Sequence, residues 1–99
     1  MERKQIPENV ILVGEKPFMS YLKSVNTLFR GKNLREIEIR ARGKNIKKAV
    51  DIAESSRHKF CHDLKLQNPV VSINTETFTT QDTNKEISVS TIAIFLKKI

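Results

Sequence analysis

From Leu34 to Glu54 the chain reads Leu-Arg-Glu-Ile-Glu-Ile-Arg-Ala-Arg-Gly-Lys-Asn-Ile-Lys-Lys-Ala-Val-Asp-Ile-Ala-Glu. The first half alternates. Ile37, Ile39 and Ala41 fall on one side and Glu36, Glu38, Arg40 and Arg42 on the other, the period of a strand with one buried face. Gly43 breaks that strand, and Asn45 has the short polar side chain that caps helices. Beyond it the period becomes helical, with Ile46, Ala49, Val50, Ala53 and Phe60 as the expected buried face. One glycine thus separates a strand from a helix, and the rest of the chain repeats and completes that unit.

Upstream, Val10, Ile11, Leu12 and Val13 form an unbroken apolar run ended by Gly14, which reads as a central strand buried on both faces. Pro17 suits the first turn of a helix. Met19, Leu22, Val25 and Phe29 recur at helical spacing, Phe18 and Leu28 widen the stripe, and Gly31 stops it. Downstream, Asn68-Pro69 punctuates the chain. A third strand is expected over 70–75 and a fourth over 88–96, with the polar stretch 77–87 as a hairpin tip. The order predicts an α+β fold, a compact β-α-β-α-β-β domain in which a four-stranded mixed sheet carries two helices on one face. Residues 1–8 are expected to be a flexible N-terminus and 9–99 a single domain.

Composition narrows the partners. The chain has 99 residues, 38% of them hydrophobic and 29% charged, with a formal net charge of +7. Such a charge attracts polyanions, nucleic acid foremost and an anionic membrane surface as the main rival. A single cysteine, Cys61, excludes an internal disulfide framework and fits a reducing compartment. Met1 to Pro7 is charged and has no signal-peptide core. No apolar run approaches the roughly 20 residues that span a bilayer. The expectation is a cytoplasmic protein associated with the chromosome.

The charge is concentrated. Between Arg30 and Phe60 ten cations face four anions, and Arg40 to Lys48 holds five cations with no anion. Lys44, Lys47 and Lys48 stand at the start of the second helix, where each cation costs about 0.3–1 kcal/mol against the helix dipole. That placement makes sense if an anion docks there on the free backbone N–H groups. Phosphate is the natural candidate, with Gly43 allowing close approach and Arg42 able to bind it bidentately. The turn Gly14-Glu15-Lys16-Pro17 also joins a strand to a helix, so Lys16 adds a contact if the two strands are neighbours. The hairpin tip offers Lys85 for a groove, against Asp82 and Glu86. The nucleic-acid-binding set is therefore Lys16, Arg40, Arg42, Gly43, Lys44, Asn45, Lys47, Lys48 and Lys85.

Reaction chemistry is not expected. His58, Cys61 and His62 match no zinc motif. There is no phosphate-binding glycine loop, dinucleotide fingerprint, nucleophile elbow or convincing acid pair. No cofactor and no metal are expected. Tyr21 and the phenylalanines sit at core spacing and read as packing.

Three stretches carry a resemblance. Val10 to Tyr21 resembles the opening motif of the Alba family of archaeal chromatin proteins. Arg40 to Glu54 is similar to that family's central motif, and Val89 to Ile94 to its last strand. The resemblance spans roughly residues 8–98. It implies a homodimer that binds double-stranded DNA with little sequence preference, and often RNA, through two central basic loops and two hairpin arms. On matching positions Lys16, Arg42 and Lys44 contact backbone, with Arg40, Lys47 and Lys48 close by. It further implies a dimer–dimer contact at Phe60, with Arg57 and Lys59 near it. The alternative reading is an RNA-binding subunit of a ribonucleoprotein such as RNase P. Three positions depart from the family pattern. Glu15 stands where a lysine, acetylated in some relatives, is usual. Ser20 replaces an asparagine. The hairpin lacks the usual glycine and arginines.

Overall fold

The structure, a computed structural model, describes residues 6–99; the first five residues of the loose segment expected over 1–8 lie outside the described residues. The elements run β1 (Val10–Leu12), α1 (Phe18–Asn26), β2 (Glu36–Arg42), α2 (Ile46–Ser55), β3 (Val70–Thr79) and β4 (Glu86–Lys97). The strands form one mixed sheet in the order β1-β2-β4-β3, with β1 parallel to β2 and the other pairs antiparallel. This is the α+β architecture expected from the period changes. Ile11, Val13, Ile37, Ile39, Ala41, Ile92, Ile94 and Leu96 line the covered face of the sheet. Leu22, Val25, Phe29, Ala49, Ile52 and Ala53 meet them from the two helices. Burying one large aliphatic side chain of this kind stabilises by about 1.5–3 kcal/mol.

Several local expectations are corrected. The run Val10 to Val13 is an edge strand and not a central one. Ile11 and Val13 are buried, whereas Leu12 is 51% exposed on the open face of the sheet. An apolar run cannot by itself distinguish burial on both faces from burial on one. On α2 the buried stripe is Ala49, Ile52 and Ala53, while Val50 and Phe60 are exposed. The start of α2 also differs from the expected capped helix. Gly43–Asn45 forms a 3-10 turn, so Asn45 is already helical in backbone and makes no side-chain cap. Met19 on α1 is likewise exposed.

Both helices end in a wider turn. Lys32 N–H reaches Thr27 O and Cys61 N–H reaches Ser56 O, each across five residues. The second of these turns carries Cys61 into the core, where burial pushes its thiol pKa up. The hairpin is longer than expected. The β3–β4 ladder continues to Thr79↔Glu86, leaving only residues 80–85 as the tip. Alternating β-branched side chains over Thr75, Thr77 and Thr79 suit an extended backbone despite their polarity. Thr77 and Ser88 also pair by their hydroxyls at 3.3 Å.

Candidate nucleic-acid interface

The parallel pairing of β1 with β2 decides the geometry. Leu12 is in register with Arg40, so the loops leaving the two strands emerge side by side. One is Gly14-Glu15-Lys16-Pro17 and the other Gly43-Lys44-Asn45. Gly43 adopts φ +57°, a left-handed conformation that glycine takes without strain. Lys44 crosses to the neighbouring loop and pairs with Glu15 at 3.2 Å. Lys16, Arg42, Lys44 and Lys47 are all exposed at this end of the sheet.

Four of the expected cations meet a carboxylate of their own chain. Arg40 pairs with Glu38, Arg42 with Glu76 at 3.8 Å, Lys44 with Glu15, and Lys47 with Asp51 at 2.8 Å. The hydrogen bonds they donate to Glu38 and Asp51 hold Arg40 and Lys47 above their ordinary pKa. These cationic side chains remain 48–87% exposed. Exposed pairs contribute little to stability and are screened by salt, so they can yield to a phosphate. Lys16 and Lys85 have no carboxylate partner among the described residues.

Arg40 and Arg42 also line a groove of about 510 Å³ on the open face, with Leu12, Ser72, Asn74 and Glu76. Asn45 is half-buried behind the loop. Lys85 is remote from this cluster. Arg42 pairs with Thr91 on β4, and the hairpin continues five residues beyond that to Glu86. At about 3.4 Å per residue this is roughly 17 Å.

Lys48 turns inward to the neighbouring loop. Its ammonium donates to Gly14 O at 2.9 Å and Lys16 O at 2.5 Å, and stands 5.1 Å from the centre of the Tyr21 ring. The Tyr21 hydroxyl accepts the N–H groups of Gly14 at 2.7 Å and Lys16 at 3.2 Å. Tyr21 is therefore more than a core side chain. The available signal was Lys48 lying four residues before Ile52, on the edge of the true buried stripe.

Arg57, Lys59 and Phe60 lie at the far end of α2. Arg57 bonds Glu54 at 2.7 Å and Asn68 at 3.2 Å, and Lys59 is exposed. Phe60 and Met19 line a groove of about 390 Å³ between the two helices. His58 contacts Glu54 and His62 contacts Lys59 O. Among the described residues no three His, Cys, Asp or Glu side chains converge as metal ligands. Among the described residues no helix is long and apolar enough to cross a membrane.

Fold and loops together define a class: small basic α+β proteins whose cationic strand-to-helix loops crowd one end of a mixed sheet. The family model described as Alba matches residues 9–80, and the chain belongs to the Alba family. The DNA/RNA-binding protein Alba of Picrophilus torridus is 45% identical over 91 residues, covering 92% of this chain and 97% of its own length. That of Thermoplasma acidophilum matches with the same identity and coverage. The solved structure of Alba from Thermoplasma volcanium superposes with a TM-score of 0.78 at 42% identity, covering 91% of this chain and all of that one. The structure of ALBA1 from Trypanosoma brucei, at 23% identity and a TM-score of 0.63 over 95% of this chain and 72% of that one, shares the fold.

Proposed function

We propose that this protein binds double-stranded DNA, and RNA as well, through the phosphate backbone and without sequence preference, acting as a chromosome-associated homodimer. The observation that carries the reading is the juxtaposition of two strand-to-helix loops presenting Lys16, Arg42 and Lys44 from one end of the sheet. A phosphate offers Lys16 a partner, and offers Arg42 and Lys44 charge-assisted hydrogen bonds in place of their long, exposed internal pairs. The name DNA/RNA-binding protein carried by the archaeal relatives supports both ligands. Lys85 and the hairpin play a minor part, because Asp82 and Glu86 flank the only tip cation.

A second copy of the chain is the natural cover for an apolar strip beside α2. Ile46, Ile73 and Ile92 line one groove there, and Val71 extends it along β3. The groove between Met19 and Phe60, with Arg57 and Lys59 next to Phe60 in sequence, is the corresponding contact between dimers on DNA.

A salt titration tests the reading. If Lys16, Arg42, Lys44 and Lys47 of two protomers make about eight backbone contacts, the log–log slope of affinity against salt on duplex DNA is near −7. A slope shallower than about −2 contradicts backbone-dominated binding. Arg42→Ala weakens binding to every duplex sequence alike; a loss confined to one sequence means base readout instead. Competition between duplex DNA and folded RNA at equal salt ranks the two ligands.

A further inference from the structure

Lys48 sits in the densest basic run of the chain, yet its ammonium faces inward. We propose that Lys48 and Tyr21 form a clamp that holds the Gly14–Lys16 turn in the shape that presents Lys16 to phosphate, and that Lys48 itself touches no phosphate. This rests on the reading of the two loops as a phosphate-binding end.

The clamp satisfies the turn from both sides. The Tyr21 hydroxyl takes two of the turn's donors, the N–H groups of Gly14 and Lys16. The Lys48 ammonium takes two acceptors from the same two residues, Gly14 O and Lys16 O. Its charge also stands over the Tyr21 ring at 5.1 Å, an attractive cation–π placement. Lys48 comes from α2, 34 residues away from Gly14, so the clamp fastens the β1–α1 loop to the helix that follows the β2 loop. The two cationic loops thereby move as one body. The arrangement also accounts for a lysine in the first turn of α2, where the helix dipole disfavours it. Carbonyl oxygens of another loop supply the negative field that this position needs. With the Gly14 and Lys16 N–H groups held by Tyr21, two of this turn's three backbone donors are already taken. The contribution of this turn to binding is the Lys16 side chain.

Counterion release separates a residue that positions from one that contacts, because only contacts enter the salt slope. Lys48→Met keeps the aliphatic stem and removes the ammonium. The expected result on a short mixed-sequence duplex is a loss of roughly threefold to tenfold at fixed salt, the size of one net hydrogen bond. The slope stays at its wild-type value. Tyr21→Phe removes only the hydroxyl and is expected to give the same signature, and it carries the test if Lys48→Met does not fold. In a Lys16→Met background both losses shrink, since the clamp acts through Lys16.

In the wild-type protein, the Lys48 ammonium resonance is expected to persist and to stay unmoved when duplex is added, while those of Lys16 and Lys44 shift. A slope flattened by about 0.9 per protomer in Lys48→Met, or a Lys48 ammonium that shifts with DNA, overturns the clamp and makes Lys48 a contact. Unchanged affinity in both variants overturns it as well. A wild-type chain that binds neither DNA nor RNA overturns the functional reading and the clamp with it.

Discussion

Gly43 joins two demands at one position. Its φ of +57° starts the turn that carries Lys44 toward Glu15, and it directly follows Arg42. A methyl group there would meet Val89 Cγ1 at 3.6 Å, an ordinary contact, so space is not the constraint. The backbone conformation is. Gly43→Ala is therefore expected to cost about 1–2 kcal/mol in chemical denaturation, the usual penalty for an L-residue in the left-handed region. A cost below about 0.3 kcal/mol would mean that the turn relaxes into another shape. The glycine was legible in the sequence as a strand breaker between two periods. Its sign of φ was not, because a capped helix start and a 3-10 turn leave the same pattern. The same ambiguity bears on Asn45, which stands at the N-cap position of α2 but has a helical backbone and makes no side-chain cap.

Helix α2 shows how far periodicity reaches. Val50 and Ile52 are both apolar and two residues apart, so a helix cannot bury both on a narrow stripe. The expected positions Ala49 and Ala53 are buried, and it is Ile52, not Val50, that completes their stripe in the core. The two positions thus make a paired prediction. Ile52→Ala, at a fully buried site, should cost about 2–5 kcal/mol, enough to unfold much of a small domain, whereas Val50→Ala in the monomer should cost less than about 1 kcal/mol. Thermal denaturation of the two variants measures the difference, and equal losses would place the helix in the rotation read from the sequence. The element order and the mixed sheet were legible because each period change coincides with a glycine or proline. The edge position of β1 was not, since strand order depends on which neighbours pair, and the local pattern contains no such information. The ion pairs were not legible either: Glu15 with Lys44 and Arg42 with Glu76 join positions 29 and 34 residues apart in sequence.

Two helices cannot cover four strands, and the uncovered strand is β3, whose residues are all exposed. Val71 and Ile73 are in register with Ile94 and Ile92, so they continue the covered face of the sheet past the edge of α2. Ile73 is 77% exposed and Val71 51% exposed, and they adjoin the groove lined by Ile46. A protein surface rarely keeps so contiguous an apolar strip uncovered, and the two-fold dimer proposed above would cover it with an identical strip. Dimerisation would also double the number of cationic loops available to one polyanion, the physical basis for the steep salt dependence expected. Ile73→Glu tests this without disturbing the core, because the side chain makes no buried contact in the monomer. Its far-UV spectrum should match that of the parent chain, while sedimentation at micromolar concentration should show a monomer in place of a dimer. Duplex affinity should fall and the salt slope should roughly halve, from about −7 toward −3.6, since each protomer then engages its phosphates alone. A parent chain that sediments as a monomer, or an Ile73→Glu dimer as tight as the parent, would remove β3 from the assembly. Binding would then have to be explained by the loops of a single copy.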